Sequence, residues 1–261
     1  MADLPFTVAP VEGKGLGAFA NRVIEAGERL LADKPLFVLP ATVQGTGITS
    51  ESLEKTIEAL SAEDRGRFWA LAQDTALYGD EITASGIAGT NGIPFSHFGR
   101  CYCSVFATVS RFNHSCEPNT CYNWNGALGQ LTIHASKRIE AGSEVTICYL
   151  GSLMPRPQRQ RQLLQDFGFE CMCAKCVLAG EALAESDERI ATIGDYDSGD
   201  NDSRLMNSLR RWGAIKVLIT LDAGKVLAEL ERVVTMLEAE APGVRAGHVS
   251  MLEAEGYVLA M

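Results

Sequence analysis

The chain has 261 residues and a formal net charge of -10 at pH 7. Eight acidic residues and one basic residue fall between positions 180 and 203, so this segment carries -7 and the rest of the chain about -3. A nearly neutral body argues against a broad nucleic-acid-binding face, which would need a basic surface. A protein or peptide is therefore the expected partner, and no direct contact with nucleic acid is expected.

The start of the chain and its hydropathy predict an intracellular protein, located in the nucleus, the cytoplasm or both. The run Met1-Ala2-Asp3-Leu4-Pro5 lacks the charged and apolar regions of a secretory signal. No apolar run is long enough to cross a bilayer, so no membrane association is expected. A monomer is favoured. In this setting the eight cysteines are expected to be metal ligands and buried thiols rather than disulfides.

The first 100 residues predict short strands interrupted by helices. Residues 4–40 alternate strand-like runs with Gly-rich turns. Between about 48 and 75 the apolar period changes to about 3.6, which predicts a helical insertion. Ser61 with Asp64 three residues later is typical of a helix start, so the insertion is predicted to be a pair of helices. The stretch 83–98 is rich in Gly, Ser and Thr and is predicted to be loop.

Strand patterning returns at 105–112, 128–134 and 144–149. A helix is then predicted to begin at Pro157, since proline suits the first helical position. The basic residues of that helix are interpreted as a solvated face; they are Arg156, Arg159 and Arg161. The acidic stretch 177–203 lacks sustained periodicity and is predicted to be a linker. Helical patterns over 204–261 predict a C-terminal helical region whose apolar stripe is interpreted as packing.

Four cysteines have the spacing of a zinc site. Cys171, Cys173 and Cys176 form a C-x-C-x-x-C run, which places three thiolates on one short loop. A tetrahedral zinc ion needs four ligands, and Cys116 is the expected fourth. One structural zinc ion would then attach this loop to the middle of the chain.

The other cysteines make an incomplete ligand set. Cys101 and Cys103 could bind a second metal together with His97, but the ligand count favours simple thiols. Cys121 and Cys148 are interpreted as free thiols in the core.

Ordered motifs along the chain resemble those of a known family. They are Gly15-Leu16-Gly17, Asn113-His114-Ser115-Cys116, Glu144-Val145-Thr146-Ile147-Cys148-Tyr149 and the C-x-C-x-x-C run. In this order they resemble the motifs of SET-domain protein lysine methyltransferases, over residues 5–176. The resemblance is closest to the SET-and-MYND branch, because Thr90-Asn91 and Phe167-Gly168-Phe169-Glu170 also match. The MYND zinc finger itself is missing, since no cysteine lies between residues 1 and 100.

The resemblance implies a β-rich α+β fold. A SET domain of several small sheets is expected over 1–150, with the helical insertion at about 48–75 and a loop-rich stretch to 100. A zinc-binding post-SET segment is expected over 151–176. The acidic linker over 177–203 and the helical region over 204–261 would follow.

The resemblance also implies S-adenosylmethionine as cofactor and a lysine on a protein or peptide as substrate. It assigns cofactor contacts to a set of ten residues: Lys14, Gly15, Leu16, Gly17, Asn91, Ser110, Asn113, His114, Tyr149 and Phe169. Tyr149 is the implied catalytic residue, at the junction between the cofactor's methyl group and a channel for the lysine. The zinc would be structural yet needed for cofactor binding, because it orders the segment that carries Phe169.

Two other functions are weighed against the enzyme. A zinc-stabilised SET scaffold could bind proteins without transferring methyl groups, but Asn113, His114 and Tyr149, where degeneration is expected, are all present. A DNA-binding zinc protein would need a basic stripe and paired ligand spacing, and the sequence has neither.

Overall fold

A computed structural model describes residues 4–40, 49–97, 100–150 and 154–197, together with the single residues 235 and 239. The strands in this part are β1 (Phe6–Val11), β2 (Gly15–Ala20), β3 (Arg29–Asp33), β4 (Pro35–Pro40), β5 (Gly92–His97), β6 (Arg100–Phe106), β7 (Asn113–His114), β8 (Thr120–Asn125), β9 (Gln130–Ala135) and β10 (Glu144–Ile147). The helices are α1 (Ser50–Glu58), α2 (Ala62–Trp69), α3 (Thr75–Tyr78), α4 (Ala84–Asn91), α5 (Arg156–Phe167) and α6 (Gly180–Asp197). No helix in these ranges is both long and apolar enough to span a membrane.

The strands form three small sheets, which confirms the predicted α+β class. Their orders are β1-β2-β10-β7, β3-β9-β8 and β4-β6-β5. The pair β7 and β10 is parallel, with Thr146 opposite Asn113 and Ile147 opposite His114. This parallel contact brings the middle of the chain alongside the strand that ends just before Tyr149.

The predicted helical pair is confirmed as α1 and α2. The hydroxyl of Ser61 accepts the backbone N–H of Asp64 at 3.1 Å and thereby caps α2. Ile57 and Phe68 are buried against Phe37 of β4 and Ile87 of α4. The insertion therefore has its own apolar core beside the β4-β6-β5 sheet.

The loop predicted over 83–98 is wrong. Residues 84–91 form α4 and residues 92–97 form β5. The helix was hidden because small residues replace an apolar stripe: a Cβ on Gly86 would meet the side chain of Gln73 at 2.1 Å, and one on Gly89 would meet that of Tyr78 at 2.2 Å. The composition that suggested a loop instead allows close packing.

The linker predicted over 177–203 is wrong for residues 180–197, which form the helix α6. Its inward face carries Leu183, Ser186 and Ile190 at helical spacing, and the polar member weakens the apolar pattern. Asp187 on the same face accepts the backbone N–H of Arg156 at 2.9 Å and so caps the start of α5. The predicted helical patterns over 204–261 lie outside the described residues, apart from helical residues 235 and 239.

The helix predicted from Pro157 is confirmed as α5, but its basic residues do not all face solvent. Arg159 is buried, whereas Arg161 is exposed. The burial follows from the helical period, which places Arg159 one turn before Leu163, a residue that is also fully buried.

Candidate functional site

The four predicted zinc ligands lie together. One sulfur from each of Cys116, Cys171, Cys173 and Cys176 lies within 4.8 Å of every other. The Cys116 sulfur is 3.9 Å from that of Cys171 and 3.5 Å from that of Cys176. In a tetrahedral site with Zn–S bonds of about 2.3 Å, sulfurs lie about 3.8 Å apart. The donor set and its spacing therefore fit a structural zinc ion.

The short distances between the four sulfurs limit how many of the thiols can lose their protons at once. Metal-free, four thiolates at this spacing would repel one another, so some thiols keep their protons. Hydrogen bonds from the neighbouring thiols, Cys116 first, lower the pKa of Cys173, and hydrogen bonds with Cys171 and the other thiols raise the pKa of Cys116. A divalent cation would allow all four to be thiolates at once.

The helix α5 positions the C-x-C-x-x-C loop. It ends at Phe167 and is capped by Gly168, whose left-handed backbone, with φ of 70°, reverses the chain. The side-chain amide of Gln160 then holds Cys171 at both backbone groups, donating to its carbonyl at 2.7 Å and accepting its N–H at 2.9 Å. The position of Cys171 is thus fixed from the helix and does not depend on a metal alone.

Tyr149 is held at both ends. Its hydroxyl donates to the carbonyl of Phe112 at 2.8 Å, and its backbone N–H donates to Nδ1 of His114 at 3.0 Å. Phe167 packs on its ring with centroids 5.0 Å apart. Burial, with a smaller contribution from Glu144, raises the pKa of Tyr149 well above its ordinary value. The hydroxyl therefore remains protonated at neutral pH.

His114 connects this tyrosine to the cysteine cluster. Because Nδ1 accepts from Tyr149, the neutral ring carries its hydrogen on Nε2, which lies 3.2 Å from the sulfur of Cys116. Burial lowers the pKa of His114 to about 4, so the ring is neutral at pH 7. The ring of Phe169 also lies near His114, with the two ring centroids 6.0 Å apart.

Lys14 and Asn113 meet at Glu144, a residue that the sequence had not singled out for the site. The ammonium of Lys14 lies 3.0 Å from one carboxylate oxygen, and the amide nitrogen of Asn113 donates to the other at 2.7 Å. Asn113 also donates to the backbone carbonyl of Leu16 at 3.2 Å. These contacts join β2, β7 and β10 at one place.

The absence of a side chain at Gly17 is required for this meeting. A Cβ there would lie 2.8 Å from the amide nitrogen of Asn113 and 3.0 Å from a carboxylate oxygen of Glu144. Gly15, by contrast, has open space around it but a positive φ of 76°. The two glycines of the motif therefore serve different needs, a close approach and a turn.

Asn91 and Ser110 lie next to each other, since the Ser110 hydroxyl is 3.5 Å from the carbonyl of Asn91. The amide nitrogen of Asn91 donates to the carbonyls of Ala72 and Ile87 at 2.7 and 2.8 Å. Its side chain thus anchors α4 to the chain before α3, and its expected contact with a cofactor stays a prediction.

The second metal site weighed from the sequence has no support in the described residues. Among them, the cluster around Cys116 is the one group of three or more potential ligands close enough to share an ion. Cys101 is exposed and Cys103 half-buried.

Two residues of the site carried no sequence signal. Phe112 and Gln160 act through contacts with residues distant in the chain, and nothing local marks them. Glu144 begins the motif that ends at Tyr149, but the sequence alone predicted no contact for it in the site. Phe167 could have been found, because it begins the Phe-Gly-Phe-Glu run that precedes the cysteines.

Comparisons with known proteins agree with the motifs. The SET-domain profile matches residues 15–150. Histone-lysine N-methyltransferase set5 of Schizosaccharomyces pombe is 30% identical over 202 residues, covering 74% of this chain and 57% of that protein. Histone-lysine N-methyltransferase SMYD3 of Mus musculus is 43% identical over 72 residues, covering 28% of this chain and 16% of that protein. The chain thus matches just over half the length of the first relative and about a sixth of the second.

A solved structure gives a partial match. It is the methyltransferase domain of human histone-lysine N-methyltransferase SETMAR, which matches with a TM-score of 0.35 and 17% identity, over 57% of this chain and 45% of that one.

Proposed function

Because the chain belongs to the SET-domain family, we propose that it is an S-adenosylmethionine-dependent protein-lysine N-methyltransferase. The observation that carries the proposal is the position of Tyr149. Its hydroxyl is fixed on Phe112 and its backbone on His114, next to the parallel contact of β7 and β10. A tyrosine held in this way offers a neutral, immobile hydroxyl to a reacting group.

We place the cofactor against the residues that meet at Glu144. The cofactor supplies an electrophilic methyl group on a positively charged sulfur. The amide nitrogen of Asn113 is committed to Leu16 and Glu144, so Oδ1 is the atom that would accept from the cofactor's ammonium group. Lys14 is half-exposed and would exchange Glu144 for the cofactor's carboxylate.

We assign the adenine to Phe169 and the zinc to a supporting role. Cys116, Cys171, Cys173 and Cys176 would hold one structural zinc ion, and this would fix Phe169 beside His114. Gly15 and Gly17 would let the backbone of β2 approach the cofactor. Asn91 and Ser110 complete the proposed contacts, through backbone or hydroxyl groups.

The chemistry needs a neutral lysine and alignment. A free lysine has a pKa near 10.4, so deprotonating its amine at pH 7 costs about 4.6 kcal/mol in water. An apolar channel and a neighbouring positive charge both lower that pKa, and no dedicated base is then required. The raised pKa of Tyr149 also argues against a tyrosinate base. Holding the reacting atoms in line contributes about 7–11 kcal/mol.

The proposed substrate is a lysine side chain on a histone or another protein, and the proposed location is the nucleus, the cytoplasm or both. Two relatives are named as histone-lysine N-methyltransferases. The near-neutral body of the chain is compatible with a protein partner.

The test is binding followed by transfer. Calorimetric titration of zinc-loaded protein with S-adenosylmethionine is expected to give a dissociation constant near 1 μM, or about -8 kcal/mol. Radiolabelled cofactor is then incubated with histones and with a mixture of cell proteins, with Tyr149→Phe as the control. Binding without transfer to any protein favours the zinc-stabilised scaffold. No binding by folded, zinc-replete protein contradicts the proposed cofactor site.

A further inference from the structure

A buried arginine lies beside the cysteine cluster. Arg159 of α5 is 3% exposed, and its Nη2 lies 3.9 Å from the sulfur of Cys176. Its Nη1 donates to the carbonyl of Met154 at 2.6 Å. Its Nε is buried and has no hydrogen-bond partner among the described residues. Each of these observations is unusual for a residue expected to face solvent.

No carboxylate among the described residues compensates the charge of Arg159. The ion pairs seen among the described residues join other side chains, and the contacts of the guanidinium are with the carbonyl of Met154 and the sulfur of Cys176. A buried cation without a counter-charge is strongly destabilising. Its burial therefore requires negative charge nearby.

The cysteines provide that charge when they bind zinc. Four thiolates around one divalent ion leave a net charge of -2, in a place where three of the four cysteines are buried. A guanidinium stays charged at neutral pH even when it is buried. That of Arg159 contacts the sulfur of Cys176, so its charge lies beside the thiolates.

We propose that Arg159 is a counter-charge of the zinc–tetrathiolate centre, and that this attraction couples zinc binding to the docking of α5. The inference rests on the zinc site of the proposed function, and it adds a residue that is not a ligand. Lys175, also buried, lies within the ligand loop itself, whereas Arg159 brings a positive charge to the centre from a different element, α5.

The coupling has a consequence for the catalytic region. The helix that carries Arg159 also carries Gln160, which holds Cys171, and Phe167, which packs on Tyr149. An attraction that holds α5 against the zinc centre therefore also holds Phe167 against Tyr149.

The test compares Arg159→Met, which removes the charge and keeps an apolar stem, with Arg159→Lys, which keeps the charge. Arg161→Met, on the exposed face of the same helix, is the matched control. Zinc affinity is measured by competition with a chelator, and thermal unfolding is followed with and without zinc. Losses of about 10- to 100-fold in zinc affinity follow when groups that support metal ligands are removed. We expect a loss in that range for Arg159→Met, about threefold or less for Arg159→Lys, and none for Arg161→Met.

A comparison of the zinc-loaded with the zinc-free protein separates the effect of the Arg159 charge from the effect of its packing. Arg159→Met should lower the melting temperature of the zinc-loaded protein but leave the zinc-free protein unchanged or more stable, because a buried unpaired cation has been removed. An equal fall in both forms would mean that Arg159 only fills space and would overturn the proposal. Should Arg159→Met not fold, Arg159→Lys decides: a tenfold loss of zinc affinity despite the retained charge would overturn it too. Wild-type protein that binds no zinc would instead contradict the zinc site itself.

Discussion

The backbone N–H of Tyr149 donates to Nδ1 of His114 across 3.0 Å, and Nε2 of the same ring lies 3.2 Å from the sulfur of Cys116. One imidazole thus touches both the proposed catalytic residue and a proposed zinc ligand. We expect His114 to position Tyr149. His114→Ala leaves the buried N–H of Tyr149 without an acceptor, which costs about 1–3 kcal/mol.

Methyl transfer by His114→Ala should fall by at least about tenfold. His114→Asn restores an acceptor near the place of Nδ1 and should recover part of that activity, whereas both variants lose the contact of Nε2 with Cys116 alike. The readouts are transfer rate, zinc per chain and thermal unfolding. Equal activity in the two variants would argue against positioning through this hydrogen bond.

The ring of His114 also predicts a pH dependence of stability. Burial lowers its pKa from 6.5 to about 4, so the folded state prefers the neutral ring and the unfolded state takes up a proton first. The stabilisation is therefore fully present above pH 6.5 and is lost as the pH falls through 4. Its size is about 3 kcal/mol. Denaturant unfolding of wild type and His114→Ala between pH 7 and 4 checks this, since losses common to both cancel. If the stability of wild type and of His114→Ala fell equally over this pH range, the predicted contribution of His114 would be contradicted.

Tyr149→Phe tests the proposed catalytic residue. The variant loses the hydroxyl that donates to Phe112, a hydrogen bond worth about 1 kcal/mol. We expect transfer to fall by at least about 100-fold, because the methyl group and the amine lose a fixed partner. Affinity for S-adenosylmethionine should change by about twofold or less. Tyr122→Phe changes another partly buried tyrosine; it is the control and should transfer normally. Unchanged turnover of Tyr149→Phe would remove it from the mechanism.

A feature of the fold or the site could be predicted where its sequence signal lies within a few neighbouring residues. The run Cys171, Cys173 and Cys176 is a local pattern, and the Ser61 cap of α2 needs only a residue three positions away. Both could be predicted without knowing the rest of the fold. Tyr149 also lies in a short motif, but its catalytic role was implied by the family resemblance and stays a prediction.

The failures have tertiary causes. The helix α4 was missed because Gly86 and Gly89 are required by the side chains of Gln73 and Tyr78, which no local pattern reveals. The burial of Arg159 makes sense only when the cysteines have been brought beside α5. Glu144 likewise gains its role when β2, β7 and β10 meet. The composition of a segment indicates whether it favours burial or exposure by itself. Contacts with distant parts of the chain decide which of its residues are in fact buried.

Gly17→Ala tests the close approach at the proposed cofactor site. The added Cβ would lie 2.6 Å from a methyl carbon of Val11 and 2.8 Å from the amide nitrogen of Asn113. Asn113 must move, so we expect cofactor affinity to fall by at least about tenfold, with a stability loss of about 1–3 kcal/mol from overpacking. Gly66→Ala in α2 meets no atom within 4 Å and is the control, expected to be neutral or slightly stabilising. Titration with S-adenosylmethionine distinguishes them. Normal affinity in Gly17→Ala would place the cofactor elsewhere.

Cys173→Ser tests whether zinc supports cofactor binding. With three thiolates left, zinc affinity should fall, and the loop that follows α5 should lose its attachment to Cys116. Phe169 lies on that loop beside His114, so cofactor affinity should fall together with zinc content. Cys101→Ser changes an exposed thiol outside the cluster and is the control. Zinc per chain, cofactor affinity and melting temperature are measured for both variants.

A joint loss of zinc and of cofactor affinity is the informative result, because the loss of either one alone would have a different cause. Full zinc occupancy in Cys173→Ser would refute the ligand set, since three thiolates and a serine hydroxyl bind zinc less well than four thiolates. Lost zinc with unchanged cofactor affinity would show that Gln160, through its two bonds to Cys171, suffices to hold the loop. Adding zinc back to chelated wild-type protein should restore both zinc and cofactor binding. That recovery would assign the loss to the metal and not to irreversible unfolding.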